Sequence, residues 1–207
     1  MLVFHGVVML LNGDLTLFKM LRFSLSSYKS KFKSIYAFEL FKEFCIIISQ
    51  MLENRTNIYN NKLVNGNNEQ YDVVLLQLPL WGAYHPPLAH GLLKSYLGHN
   101  GITCKTIDAN AHIYKTRGKK HWDFWHVKHS QSEKLFIRKT MMEMYKEFRP
   151  LMLYYMNEIK KANPIVVGCS VYDSSRIITE IFFEDLRKHC PGIKHVLGGP
   201  GVAHYMT

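Results

Sequence analysis

From residue 71 onward, short apolar runs alternate with longer stretches in which apolar residues recur every three or four positions. The run DVVLLQ at 72–77 is continuous rather than alternating, the pattern of a strand covered on both faces. A loop, LPLWGAYHPP, comes next. Leu88, Leu92, Leu93, Tyr96 and Leu97 then fall at helical spacing, with Pro87 suited to a first turn. Gly98 and Gly101 stop that helix, and residues 102–107 read as a second strand. The stretch 111–162 has helical character, with one apolar stripe at Met141, Met144, Tyr145 and Phe148 and another at Leu151, Tyr154, Tyr155 and Ile159. PIVVGCS at 164–170 predicts a third strand, and Ser174 or Ser175 is placed to cap a helix reaching about Lys188. KHVL at 194–197 predicts a fourth strand, running into GGPGV.

Strands alternating with helices predict an α/β domain with a parallel sheet and right-handed crossovers. Residues 1–53 lack a glycine-punctuated strand pattern, but residues 35–52 predict a helix opened by Ser34, apolar almost all round. Between 54 and 68, seven of fifteen residues are asparagine, which favours turns. The expected organisation is an N-terminal helical extension and linker over 1–70, then an α/β domain over 71–207 with a helical insertion at 111–162.

An apolar share of 47% and a charged share of 20% belong to a globular chain rather than a disordered one. The net charge of +10 is unevenly spread: residues 111–160 carry 11 Lys/Arg against 5 Asp/Glu, whereas 71–110 carry 2 against 2. The excess therefore sits in the helical insertion, and is read as a solvated basic face rather than a nucleic-acid surface. Cys45, Cys104, Cys169 and Cys190 are too widely spaced for a CxxC zinc pair or a tight iron–sulfur cradle, and are read as reduced structural thiols. The apolar stretches at 2–11 and 45–48 are too short for a membrane span, and no secretory signal is evident, so a cytoplasmic location is expected.

In an open parallel sheet, ligands bind beyond the C-terminal strand ends, where strand order reverses. Three unusual segments fall there: 79–87 with Pro79, Trp81, His85 and Pro86; 170–173 with Ser170 and Tyr172; and 198–202 with Gly198, Gly199 and Pro200. The glycines would let backbone approach a bulky ligand or turn tightly, and Ser170 would bind a ligand or cap a turn. Neither GxGxxG nor GxxxxGK[ST] is present, so a phosphate-cradling loop is not expected.

The ordered set of Pro79 with Pro86-Pro87, Asp108 with Asn110, Val167-Gly168 with Ser170, and Gly198-Gly199-Pro200 resembles the cobalamin-binding domain of radical S-adenosylmethionine enzymes. That resemblance implies a flavodoxin-like, Rossmann-like sheet with the first strand beside the third and the second and fourth outside them. It also implies that the cobalamin nucleotide tail threads between the first and third strands. Ser170 and the Gly198-Gly199 turn would line its channel, with the corrin over residues 79–87. The Asp-x-His-x-x-Gly motif that supplies a cobalt-ligating histidine elsewhere is absent, leaving His85 as the one histidine in the proper loop; radical relatives commonly bind without such a ligand. The CxxxCxxC loop that holds the family's [4Fe–4S] cluster and cleaves S-adenosylmethionine is also absent. The chain thus reads as a fragment, stopping before a fifth strand, whose radical core would lie downstream in cis and which is not catalytic alone. A nucleotide or nucleotide-sugar domain and a basic nucleic-acid interaction protein are the alternatives.

Overall fold

The computed structural model describes residues 9–11, 70–83, 86–126 and 133–202. The predicted helix at 35–52, the asparagine-rich linker, Tyr84 and His85 lie outside the described residues. In chain order the elements are β1 (Met9–Leu11), β2 (Val73–Gln77), α1 (Leu88–His99), β3 (Cys104–Asp108), α2 (Ala109–Arg117), α3 (Trp122–Trp125), α4 (Arg138–Ala162), β4 (Val166–Ser170), α5 (Arg176–His189) and β5 (Lys194–Gly198). Single 3-10 turns lie at Gly118–His121, Glu133–Phe136 and Asp173–Ser175.

Four strands run parallel in the order β3-β2-β4-β5, so the strand at 73–77 lies beside that at 166–170 with the other two outside, as the flavodoxin-like order requires. β1 adds a fifth strand, antiparallel to β5, with Met9 opposite Leu197. That strand was not expected from the N-terminal pattern: three residues pairing on a sheet edge need no glycine punctuation or long alternation.

Strand alternation divides the core in two. Val73, Leu75, Cys104, Val166 and Val196 pack with Leu97 of α1 on one face of the sheet. Val74, Leu76, Ile107, Val167, Cys169 and Leu197 join α4 and α5 on the other. All five residues of β2 are buried, as a continuous apolar run requires.

Two helix faces differ from the periodicity. Leu88 and Leu92 of α1 are exposed, and the helix buries His90 and Leu97 with Leu93 partly covered. Positions 90, 93 and 97 also keep three- and four-residue spacing, so an apolar count alone selected the wrong face. The helix α4 continues through Pro150, and its buried side runs Phe148, Met152, Tyr155, Met156, Ile159 and Ala162. Tyr154 is exposed and Leu151 half-buried, because a continuous helix keeps the face begun at Met141 rather than rotating it by one residue. Between α4 and α5, Arg138 bridges Glu180 at 3.0 Å and Glu184 at 2.7 Å, and Arg149 pairs with Asp185 at 2.7 Å.

At the far end of the sheet, buried Asp72 accepts hydrogen bonds from the Thr103 amide at 2.7 Å and its hydroxyl at 2.8 Å, locking the start of β2 to the segment entering β3. Among the described residues, no helix is long and apolar enough to cross a membrane.

Candidate functional site

The parallel register brings four residues into one row at the C-terminal edge of the sheet. Gln77 is opposite Asp108, and Ser170 is opposite Gly198. Leu76 pairs with Cys169, so Ser170 is the next step along β4 beside Gln77. Each is an even number of residues from an α1-side core residue: Leu75, Cys104, Val166 and Val196. The row Asp108, Gln77, Ser170, Gly198 therefore belongs to the α1 face, at the point where strand order reverses.

Within this row Ser170 is half-buried, and its hydroxyl has no hydrogen-bond partner among the described residues. A Cβ at Gly198 would meet nothing within 4 Å, so the strand end is open there. Gln77 is fully buried and gives its amide N–H to the Leu78 carbonyl at 3.3 Å, leaving Oε1 unpartnered. His90, in the first turn of α1 and on the face shared with Leu97, leaves Nε2 buried and unpartnered; burial holds its pKa down, to about 4. Such orphaned groups in a native core call for an explanation, and a ligand is one. Neither residue was singled out from sequence. The available signal was a glutamine ending an otherwise apolar, doubly covered strand.

The other two glycines serve a different contact. Gly199 has φ of 101°, and a Cβ there would lie 2.6 Å from the Val171 carbonyl oxygen. A Cβ at Gly201 would lie 2.6 Å from the Tyr172 carbonyl carbon. These residues let loop 199–201 close onto loop 171–173, a packing sealed by Val171 N–H to Gly198 O at 2.6 Å and Gly201 N–H to Val171 O at 3.0 Å. Pro200 is exposed between them.

The loop after β2 is held from three sides. The Asn110 carboxamide accepts the Trp81 N–H at 3.2 Å and returns an N–H to the Trp81 carbonyl at 3.0 Å. Its Oδ1 also accepts the Trp125 indole N–H at 2.8 Å. The Trp81 ring stacks on Tyr172 with centroids 5.1 Å apart, and the Ser174 hydroxyl donates to the Leu80 carbonyl. Asp108 caps α2, accepting the Ala111 N–H at 2.9 Å. The Asp-x-Asn pair thus orders the loop: Asn110 is buried and spent internally, whereas Trp81 and Tyr172 stay half-exposed at the edge. Pro79 is buried and Pro86 exposed. Neither serine before α5 caps it with a hydroxyl: Ser174 turns to Leu80, and the Ser175 hydroxyl accepts the Tyr172 N–H at 3.0 Å although Ser175 occupies the N-cap position.

Cys104, Cys169 and Cys190 are free and buried, and burial pushes the Cys104 thiol up to about 11 and that of Cys169 to about 12, so both stay protonated and unreactive. No group of three or more His, Cys, Asp and Glu side chains among the described residues could hold a metal ion. No protein-family model, curated protein or solved structure matches this chain.

Proposed function

We propose that residues 71–207 form a cobalamin-binding module of a radical S-adenosylmethionine enzyme. The observation that carries this reading is the row at the strand ends: an unengaged Ser170 hydroxyl beside an open Gly198, with the orphaned Gln77 Oε1 on the neighbouring strand. These groups fit a neutral, hydroxyl- and amide-rich ligand, and a fully buried acceptor otherwise costs about 1–3 kcal/mol. Bound cobalamin would supply a cobalt centre able to carry an alkyl group. The chain itself would bind and orient the cofactor, with Ser170 and Gln77 as hydrogen-bonding groups and the Trp81–Tyr172 stack as an apolar wall. The [4Fe–4S] cluster and S-adenosylmethionine belong to the expected downstream core, for which this chain has no cysteine loop.

Titrating the full chain with hydroxocobalamin, followed by absorbance of the corrin, tests the reading. Saturable one-to-one binding, weakened by Ser170→Ala to the extent of one hydrogen bond, about 0.5–1.5 kcal/mol, is expected. A folded protein that leaves the hydroxocobalamin spectrum and its free concentration unchanged would refute it.

A further inference from the structure

A cleft lies apart from the row, on the α2 side of the loop that follows β2. It has a volume of about 940 Å3 and is lined by Ala83, by Tyr114, Lys115 and Arg117 of α2, by Lys120 and Trp122, and by Glu147 and Phe148 of α4. Its wall is aromatic: Tyr114 stacks on Trp122 with centroids 5.8 Å apart and planes 20° apart. Phe148 is buried, whereas Trp122 is 41% exposed, so an indole surface remains open beside the cleft.

The charges around that surface do not cancel. Lys120 is met by Glu147 at 2.8 Å, and His121 reaches the same carboxylate at 3.1 Å. These partners hold the Glu147 carboxyl below its usual range, so its negative charge is already committed. Lys115 and Arg117 have no carboxylate partner among the described residues. Their place in the last turn of α2 suits cations. The helix end alone does not require them to share a cleft with an exposed, stacked indole.

From this juxtaposition we infer that the cleft binds a small planar ligand carrying a phosphate, of the nucleoside monophosphate class. The ring would lie against Trp122 and Tyr114, where stacking contributes on the order of 1–3 kcal/mol. Arg117 would take the phosphate through its forked N–H groups, with Lys115 as a second cation. This gives the basic excess of residues 111–160 a specific use. The cleft shares no residue with the strand-end row, and meets the loop at 79–87 only through Ala83.

Calorimetric titration of the full chain tests the inference, with AMP as the probe and adenosine, inorganic phosphate and a short single-stranded oligoribonucleotide as comparisons. AMP is expected to bind at least roughly tenfold tighter than adenosine or phosphate alone. Arg117→Gln, an exposed change checked for folding by circular dichroism, should weaken AMP at least roughly tenfold while leaving adenosine unaffected. Trp122→Leu should weaken both AMP and adenosine. AMP binding no tighter than adenosine, or unchanged by Arg117→Gln, would overturn the inference. An oligoribonucleotide that binds more than about tenfold tighter than AMP, with steep salt dependence, would overturn it in favour of a nucleic-acid surface.

Discussion

Asn110 and Trp81 are joined by reciprocal hydrogen bonds, side-chain carboxamide to main chain, at 3.2 and 3.0 Å, across 29 residues of sequence. This contact ties the loop after β2 to the helix after β3, and so sets the height of the candidate ligand edge. Because Asn110 Oδ1 also accepts from Trp125, Asn110→Ala strands three polar groups at once, the buried Trp125 indole N–H and the part-buried N–H and carbonyl of Trp81. The expected loss is about 2–4 kcal/mol in urea unfolding. Trp81 and Trp125 report on the same contact, so their fluorescence should red-shift in the folded variant.

The glycines separate packing from ligand space. Gly199→Ala places a Cβ 2.6 Å from the Val171 oxygen at φ of 101°, and should cost about 2 kcal/mol or more. Gly198→Ala enters open space and should change stability by less than about 0.5 kcal/mol. Thermal denaturation of the two single variants checks the contrast, and equal losses would show that the two glycines are not distinguished in this way.

Buried histidines give the fold an acid limit. His90 and His195 are held neutral chiefly by burial, with pKa values lowered to about 4 from 6.5; Arg187 adds to the effect at His195. As pH falls below 6.5 the unfolded chain takes up protons that the folded chain refuses until about pH 4. Stability should therefore be fully present above pH 6.5 and decline toward pH 4, by at most on the order of 3 kcal/mol for each histidine. Denaturant midpoints across that window should show a shallower decline in His195→Leu, whose replacement cannot take up a proton.

Much of the fold was legible in the chain because each parallel strand is a compact apolar run bounded by loops. Those runs and the helices between them point to a parallel α/β sheet, while the order β3-β2-β4-β5 was expected only from the family resemblance. The faces of helices were less legible. In α1 the leucines outnumber the histidine, yet His90 is inside and Leu88 and Leu92 are outside; which face is buried depends on the sheet beneath, not on a count along the helix. Apolar spacing gave two stripes over 141–159 where α4 keeps one face. At the site, Asp108, Asn110 and the glycines stood out in sequence as a group, but only register shows that Asp108 and Asn110 order a loop, that Gly199 packs on backbone and that Gly198 opens on space. The aromatic cleft was not legible at all, since α2, α3, α4 and the loop at Ala83 meet only after folding.

Gly198 offers the most direct test of the cobalamin reading, because a Cβ there enters proposed ligand space with no protein atom within 4 Å. The measurement is hydroxocobalamin affinity for the full chain and for Gly198→Val, each shown to be folded by its urea midpoint. The account predicts saturable binding by the parent and a loss of at least roughly a hundredfold, about 2.7 kcal/mol, in Gly198→Val at nearly unchanged stability. Equal affinity in the two proteins, or no binding by a well-folded parent, would contradict it.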